Sequence, residues 1–284
     1  MSSNVLAGID GSEHTAAVCD YAAWAADRLS ASLVLLHVLH RPEPIVLVNL
    51  SAATSLDAQE QVIDELAALD EKRLELVRER SRLILGQATA RIEAAGYPAP
   101  RAVQREGRLV QALARYDDYA ELLVLGRQGS GHAGCDHRLG SHVEQVIRTT
   151  ERPLLLTLGS FQPPRRLMLA FDGSATSEKG VAWLAGSPLF AGLECHLVMV
   201  GEDEPGRRAS LARAARTLTD AGRSCTTALL QGKVESCLLD YQRQQDIDLM
   251  LMGAYSQSRL REWLLGSTTH HMLAQTGVPL LILR

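Results

Sequence analysis

Glycines that close apolar runs, and glycines that stand just ahead of hydroxyl residues, are the first groups in this sequence able to do chemistry. In LMGAYSQSRLREWLLGSTTHHML, residues 251–273, Gly253 ends an apolar run and Gly266-Ser267 precedes a helical pattern. The stretch VLGRQGSGHAGCDHRLGSHVEQVI, residues 124–147, repeats the arrangement with Gly126, Gly129 and Gly140-Ser141. A helix start leaves backbone N–H groups unpaired and carries the positive end of the helix dipole. Glycine there lets an anionic oxygen reach the backbone, while a serine hydroxyl can cap the helix or donate to the anion. A glycine at the strand end lets the chain turn and a sugar lie against it. A single Gly-Ser needs no ligand, because serine is a favoured helix cap. Two copies, each matched by an aspartate at the end of an early apolar run (Asp10, Asp172), favour phosphate chemistry over capping alone. Both aspartates sit in DGS, which also reads as an Asx-type turn.

Other chemistries find less support. GSGHAG, residues 129–134, has the spacing of a dinucleotide fingerprint, but it follows a late strand and no helix opens on its third glycine. There is no GxxxxGK[ST] phosphate loop and no GxSxG nucleophile elbow. His132, Cys135 and His137 crowd one loop and have zinc-capable side chains, without the spacing of two ligand pairs.

The elements that must position these residues come in two sets. VLAGIDGS (5–12) recurs as LMLAFDGS (167–174), and LVLLHV (33–38) as CHLVMV (195–200), both at an offset of 162. REGRLVQAL (105–113) recurs as LQGKVESCL (230–238) at an offset of 125, so the first half carries 37 extra residues between its second and third strands. ELLVLG and DLMLMG end at Gly126 and Gly253, and Pro153 matches Pro279. Short, continuously apolar Val/Leu runs read as strands buried on both faces, and they alternate with patterns such as EHTAAVCDYAAWAADRLSA, apolar at helical spacing. The fold class is therefore α/β: two tandem five-stranded parallel-sheet sandwiches, residues 1–158 (with the insert at about 40–76) and 164–284, joined by LGSFQPPRR. Ligands in such sheets bind beyond the carboxyl ends of the strands, where strand order reverses.

Composition narrows the partners. A net charge of −4, with no Lys/Arg stripe interleaved with aromatics, leaves nucleic acid without an electrostatic footprint. No apolar stretch approaches the ~20 residues that span a bilayer, and the first residues lack a signal-peptide pattern. Five cysteines, odd in number and without a CxxC pair, fit a reduced, cytoplasmic chain. The insert ends in a charged helix with Leu66, Leu69, Leu76 and Leu83 at heptad-like spacing, interrupted by Arg73 and Arg80. It reads as a helix lying on its own domain, with a partner-binding or dimer helix as the other reading.

These motifs resemble the universal stress protein family, two such domains in one chain, over nearly the whole sequence. Its nucleotide-binding members carry a glycine, two residues, a second glycine, about nine residues and then Gly-Ser or Gly-Thr. The second half keeps that spacing but has Ser256 at the second glycine, where a side chain can crowd a phosphate or donate to it. The first half keeps Gly126, Gly129 and Gly140-Ser141 with one more residue in the spacer, which a loop absorbs cheaply. The resemblance implies an adenine-nucleotide-hydrolase-like, Rossmann-like fold. It also implies acidic ribose or metal contacts from Asp10 and Asp172, and adenine contacts from Val38 and Val200, although both valines equally suit a core. It further implies ATP, AMP or ADP as ligand, with Mg, in one or both halves, in a sensor with little turnover. Pairing of the two domains through their last strands, and a homodimer or protein partner, are implied as well. A nucleotide-free scaffold is the alternative and a slow ATPase the third reading, since phosphoryl transfer needs a positioned water, metal and charge clamps.

Overall fold

A computed structural model describes residues 3–39, 56–116, 118–128, 141–254 and 267–284. The first half runs β1 (Asn4–Ile9), α1 (Thr15–Leu29), β2 (Ser32–Leu39), α2 (Leu56–Ala94), β3 (Arg101–Glu106), α3 (Leu109–Ala114), β4 (Ala120–Gly126), α4 (Ser141–Thr149) and β5 (Leu154–Thr157). The second runs β6 (Arg166–Ala170), α5 (Ala175–Gly186), a 3-10 turn at Pro188–Phe190, β7 (Glu194–Val200), α6 (Pro205–Asp220), β8 (Cys225–Leu230), α7 (Val234–Gln244), β9 (Leu249–Gly253), α8 (Ser267–Gln275) and β10 (Leu280–Leu283).

All ten strands form one sheet in the order β3-β2-β1-β4-β5-β10-β9-β6-β7-β8. Within each half every pairing is parallel. The halves meet where β5 and β10 pair antiparallel, Leu155 opposite Leu281, so the domain pairing that the resemblance implied is made through the last strands. Central strands are apolar on both faces because helices cover both, whereas the edge strand β3 (RAVQRE) buries little beyond Val103. One core lies on each side of the sheet, and both run through the two halves. Side-chain bonds add to the join. Arg28 Nε donates to Leu189 O at 2.7 Å, and the Tyr21 and Phe161 rings meet edge-on at 4.8 Å.

Strand register confirms the repeat residue by residue. Val38 lies opposite Arg105 and Val200 opposite Leu230, matching the two offsets read from the sequence. On that register the last turns of α2, from Ser81, correspond to α6, and the extra residues lengthen the first half's helix at its start. Ser81, Leu85, Ala88 and Ile92 are buried against the domain, and Ser81 Oγ meets His37 Nδ1 at 2.7 Å. Leu69, Leu76 and Leu83 instead face solvent, 57%, 65% and 59% exposed, so the leucine row is not what seats the helix.

Candidate functional site

Strand order reverses between β1 and β4 in the first half and between β6 and β9 in the second, and the motif glycines and aspartates gather at those two points. After β1 the chain turns through Asp10-Gly11-Ser12, with Asp10 Oδ1 accepting the Ser12 N–H at 2.9 Å. After β6, Asp172 Oδ1 accepts from Ser174 N at the same 2.9 Å. Gly11 and Gly173 hold φ of 74° and 77°, left-handed values that a side chain strains, so both turns require glycine. The Asx-turn reading of DGS is thus realised twice.

Gly126 and Gly253 end β4 and β9. Neither lies in the left-handed region. What crowds a side chain there is close approach of the neighbouring helix start and, at Gly126, of the Gln128 carbonyl. A Cβ on Gly126 would stand 3.1 Å from Gln128 O and 3.3 Å from His14 Cβ, and one on Gly253 would stand 3.0 Å from Thr176 Cγ2. His14 and Thr176 are themselves a repeat pair, so each strand-end glycine seats the helix that follows its aspartate turn. Val38 and Val200, at the ends of β2 and β7, are half-buried and pack on the core below. The helices α4 and α8 open at Ser141 and Ser267, as the Gly-Ser pairs predict. Gly129, Gly140, Ser256, Gly266 and the His132, Cys135, His137 loop lie outside the described residues.

The two turns differ in their hydroxyl groups. In the second half Ser174 is the N-cap of α5. Its Oγ accepts from Ser177 N at 3.2 Å, and Ser177 Oγ donates to Ser174 O at 3.0 Å. In the first half the matching residues are Ser12 and Thr15. Both hydroxyl oxygens are buried and neither has a hydrogen-bond partner among the described residues. The helix above them, α1, has His14 at its N-cap with no side-chain capping bond. A buried hydroxyl without a partner costs about 1–3 kcal/mol. Two of them beside an aspartate turn and an uncapped helix start form a polar cradle suited to a phosphate or a ribose.

The second half closes its cradle from another side too. A Cβ on Gly201, immediately after β7, would collide with the guanidinium of Arg207. The Arg207 guanidinium therefore stands against Gly201, next to Val200, where the resemblance implies a base contact. Sequence reasoning passed over Ser12, Thr15 and Arg207, although the first two stand at offset 162 from a serine pair.

It also passed over Arg127, which follows Gly126 directly. The side chain is 8% exposed, burial lowers its pKa, and Nη1 donates to Thr276 O at 2.7 Å in the other half. The guanidinium thus ties the end of β4 to the second half. Among the described residues no three His, Cys, Asp or Glu side chains converge as a metal site, and no helix is long and apolar enough to cross a membrane.

The universal stress protein family model matches residues 1–157 and again 164–284. A universal stress protein of Synechocystis sp. is 32% identical over 285 residues, covering 99% of both chains. Among solved structures, a universal stress protein from Archaeoglobus fulgidus superposes with a TM-score of 0.72 at 18% identity, covering 99% of this chain and 98% of the other. A functionally unknown protein from Pseudomonas aeruginosa does so at 0.61 and 15%, covering 99% and 92%. At those identities the two structures speak for the fold alone.

Proposed function

The chain belongs to the universal stress protein family, and on that premise we propose that its first half binds adenine nucleotide, ATP foremost, in a cytoplasmic stress-response module. The observation that carries this reading is the pair of buried, unpartnered hydroxyls, Ser12 and Thr15, at the point where strand order reverses. In this reading the two hydroxyls and the backbone around Gly126, Gly129, Gly140 and Ser141 take the phosphates and ribose. Asp10 takes the ribose or a magnesium ion, and the half-buried Val38 takes one face of the base. ATP with Mg fits this donor set: hydroxyl and N–H donors for the phosphates, one carboxylate, and an apolar seat. The module acts by changing conformation or association rather than by turnover.

For the second half, a scaffold role has its own support. Ser174 and Ser177 satisfy each other, Arg207 covers the chain at Val200-Gly201, and Ser256 replaces the motif glycine. In the scaffold reading Asp172, Val200, Gly253, Ser256, Gly266 and Ser267 shape the fold and make no ligand contact. Isothermal titration of Mg-ATP into nucleotide-stripped protein tests both statements. One site per chain is expected. Two sites would overturn the scaffold reading of the second half, and no heat at about millimolar ligand would sink the nucleotide reading.

A further inference from the structure

From the amino ends of β1, β2 and β3, and along the edge strand β3 as far as Arg105 near its carboxyl end, the surface opens into a cleft of about 1010 Å³. Arg101, Arg105 and Arg115 line it together with Tyr97, Tyr116 and Tyr119, and Asp27 contributes one carboxylate. Elsewhere among the described residues about half of the exposed arginines have a carboxylate partner, as in Arg78 with Glu106 at 2.8 Å or Arg91 with Asp20 at 2.7 Å. Among the described residues the three cleft guanidiniums make no ion pair and no hydrogen bond. Three unmatched cations in one concavity of a chain with net charge −4 oppose the overall charge balance.

The repeat provides an internal control for what the fold itself requires. Arg101 lies opposite Val34 in register, and the second half places Thr226 opposite His196 at that position. Arg105 is matched by Leu230, and counting on from the Gly107–Gly232 pair matches Arg115 with Asp240. The same architecture therefore forms without any of the three cations, so the arginines are not there to hold the edge strand. Tyr116 does have a counterpart, Tyr241, but that hydroxyl is bonded to His196 Nδ1 at 2.9 Å.

We propose that this cleft is a second binding site, for a small phosphate-bearing ligand with a planar ring. Guanidinium forks bind phosphate oxygens in pairs, and tyrosine rings give a flat group a surface to stack on. The volume suits a small molecule, at the upper end of the usual range of about 300–1,000 Å³. The site is distinct from the one in the nucleotide reading, because it shares no residue with the aspartate turns or the strand-end glycines, although Arg105 lies opposite Val38 in register.

Phenyl phosphate is the probe, titrated into the full chain at low salt with and without saturating Mg-ATP. The expected result is one site per chain, undisturbed by Mg-ATP and tighter than inorganic phosphate. The double variant Arg101→Thr and Arg105→Leu carries the second half's own residues and should weaken phenyl phosphate about tenfold or more, while Arg101→Thr alone, four residues from the position opposite Val38, should weaken it and leave the Mg-ATP titration unchanged. Arg115→Asp, at an exposed helix end, gives a separate variant should the pair fold poorly, with weakening again expected. No binding at about millimolar probe, equal affinity in folded variants, or displacement by Mg-ATP would each overturn the proposal.

Discussion

The two halves of this chain share one topology and differ at three matched places. Among the described residues the first half leaves two hydroxyls unpartnered at its aspartate turn, where the second half pairs them. The second half lays an arginine over the end of its second strand. The first half gathers three unmatched arginines at its edge, where the second carries threonine, leucine and aspartate. Duplication keeps the backbone, and the backbone keeps its glycines, because left-handed φ at Gly11 and Gly173 strains a side chain and tight helix approach at Gly126 and Gly253 crowds one. Polar groups are under no such constraint. Each half is free to spend them on its own stability or to leave them for a ligand.

The largest expected effect lies at the first turn. Ser12→Ala combined with Thr15→Val should weaken Mg-ATP about tenfold or more, with thermal stability unchanged or raised, because an unpartnered buried hydroxyl is a cost to the free protein. Isothermal titration beside thermal melts reads both quantities, and a fall in stability without a loss of affinity would erase the distinction between the halves. In the second half the same kind of change should do the reverse. Ser174→Ala removes a cap and should cost about 1 kcal/mol of folding stability while nucleotide binding stays as it was. Denaturant melts measure that directly.

A smaller effect is expected at Arg207. Replacing it with alanine uncovers Gly201 and Val200, and a second, weaker Mg-ATP site would then raise the stoichiometry above one. An unchanged stoichiometry would assign the closure of the second half to its paired serines and Ser256 instead. Smallest and slowest is the response to alkali, in which the halves should agree. Burial, then the charge of Asp20, pushes the Cys19 thiol from 9.0 up to about 12, and burial, then Cys225, pushes Cys195 to about 11. The unfolded chain releases these protons near pH 9.0 while the folded chain retains them. Their contribution is therefore intact below about pH 9 and declines as pH rises toward the folded values. Melts across that window check the sign, and iodoacetamide at pH 8 should spare Cys19 and Cys195 in the native chain.

Much of the architecture was legible in the residues. Continuous apolar runs mark strands buried on both faces, and the repeated DGS and strand-end glycines set the register between halves before any coordinates, as the Val38–Arg105 and Val200–Leu230 pairings bear out. The leucine row on α2 misleads as a guide to packing, since a seven-residue spacing says which residues share a face but not which face meets the domain. Ser81 and Ala88, both small and on another face, sit against the sheet instead. Nothing in the sequence groups Arg101, Arg105 and Arg115, because 14 residues of chain hide the fact that an edge strand and a helix end bring them to one cleft.

What the sequence by itself determined is the repeat, the strand and helix order, and the glycines at the turns, since periodicity and backbone sterics are local properties that residue types express directly. What only the tertiary structure decided is which hydroxyls are paired. Ser12 and Thr15 differ little in type from Ser174 and Ser177, yet α5 starts directly after its serine, whereas α1 starts only at Thr15. A cap bond depends on where the helix begins, and on the repeat α5 begins two residues earlier than α1.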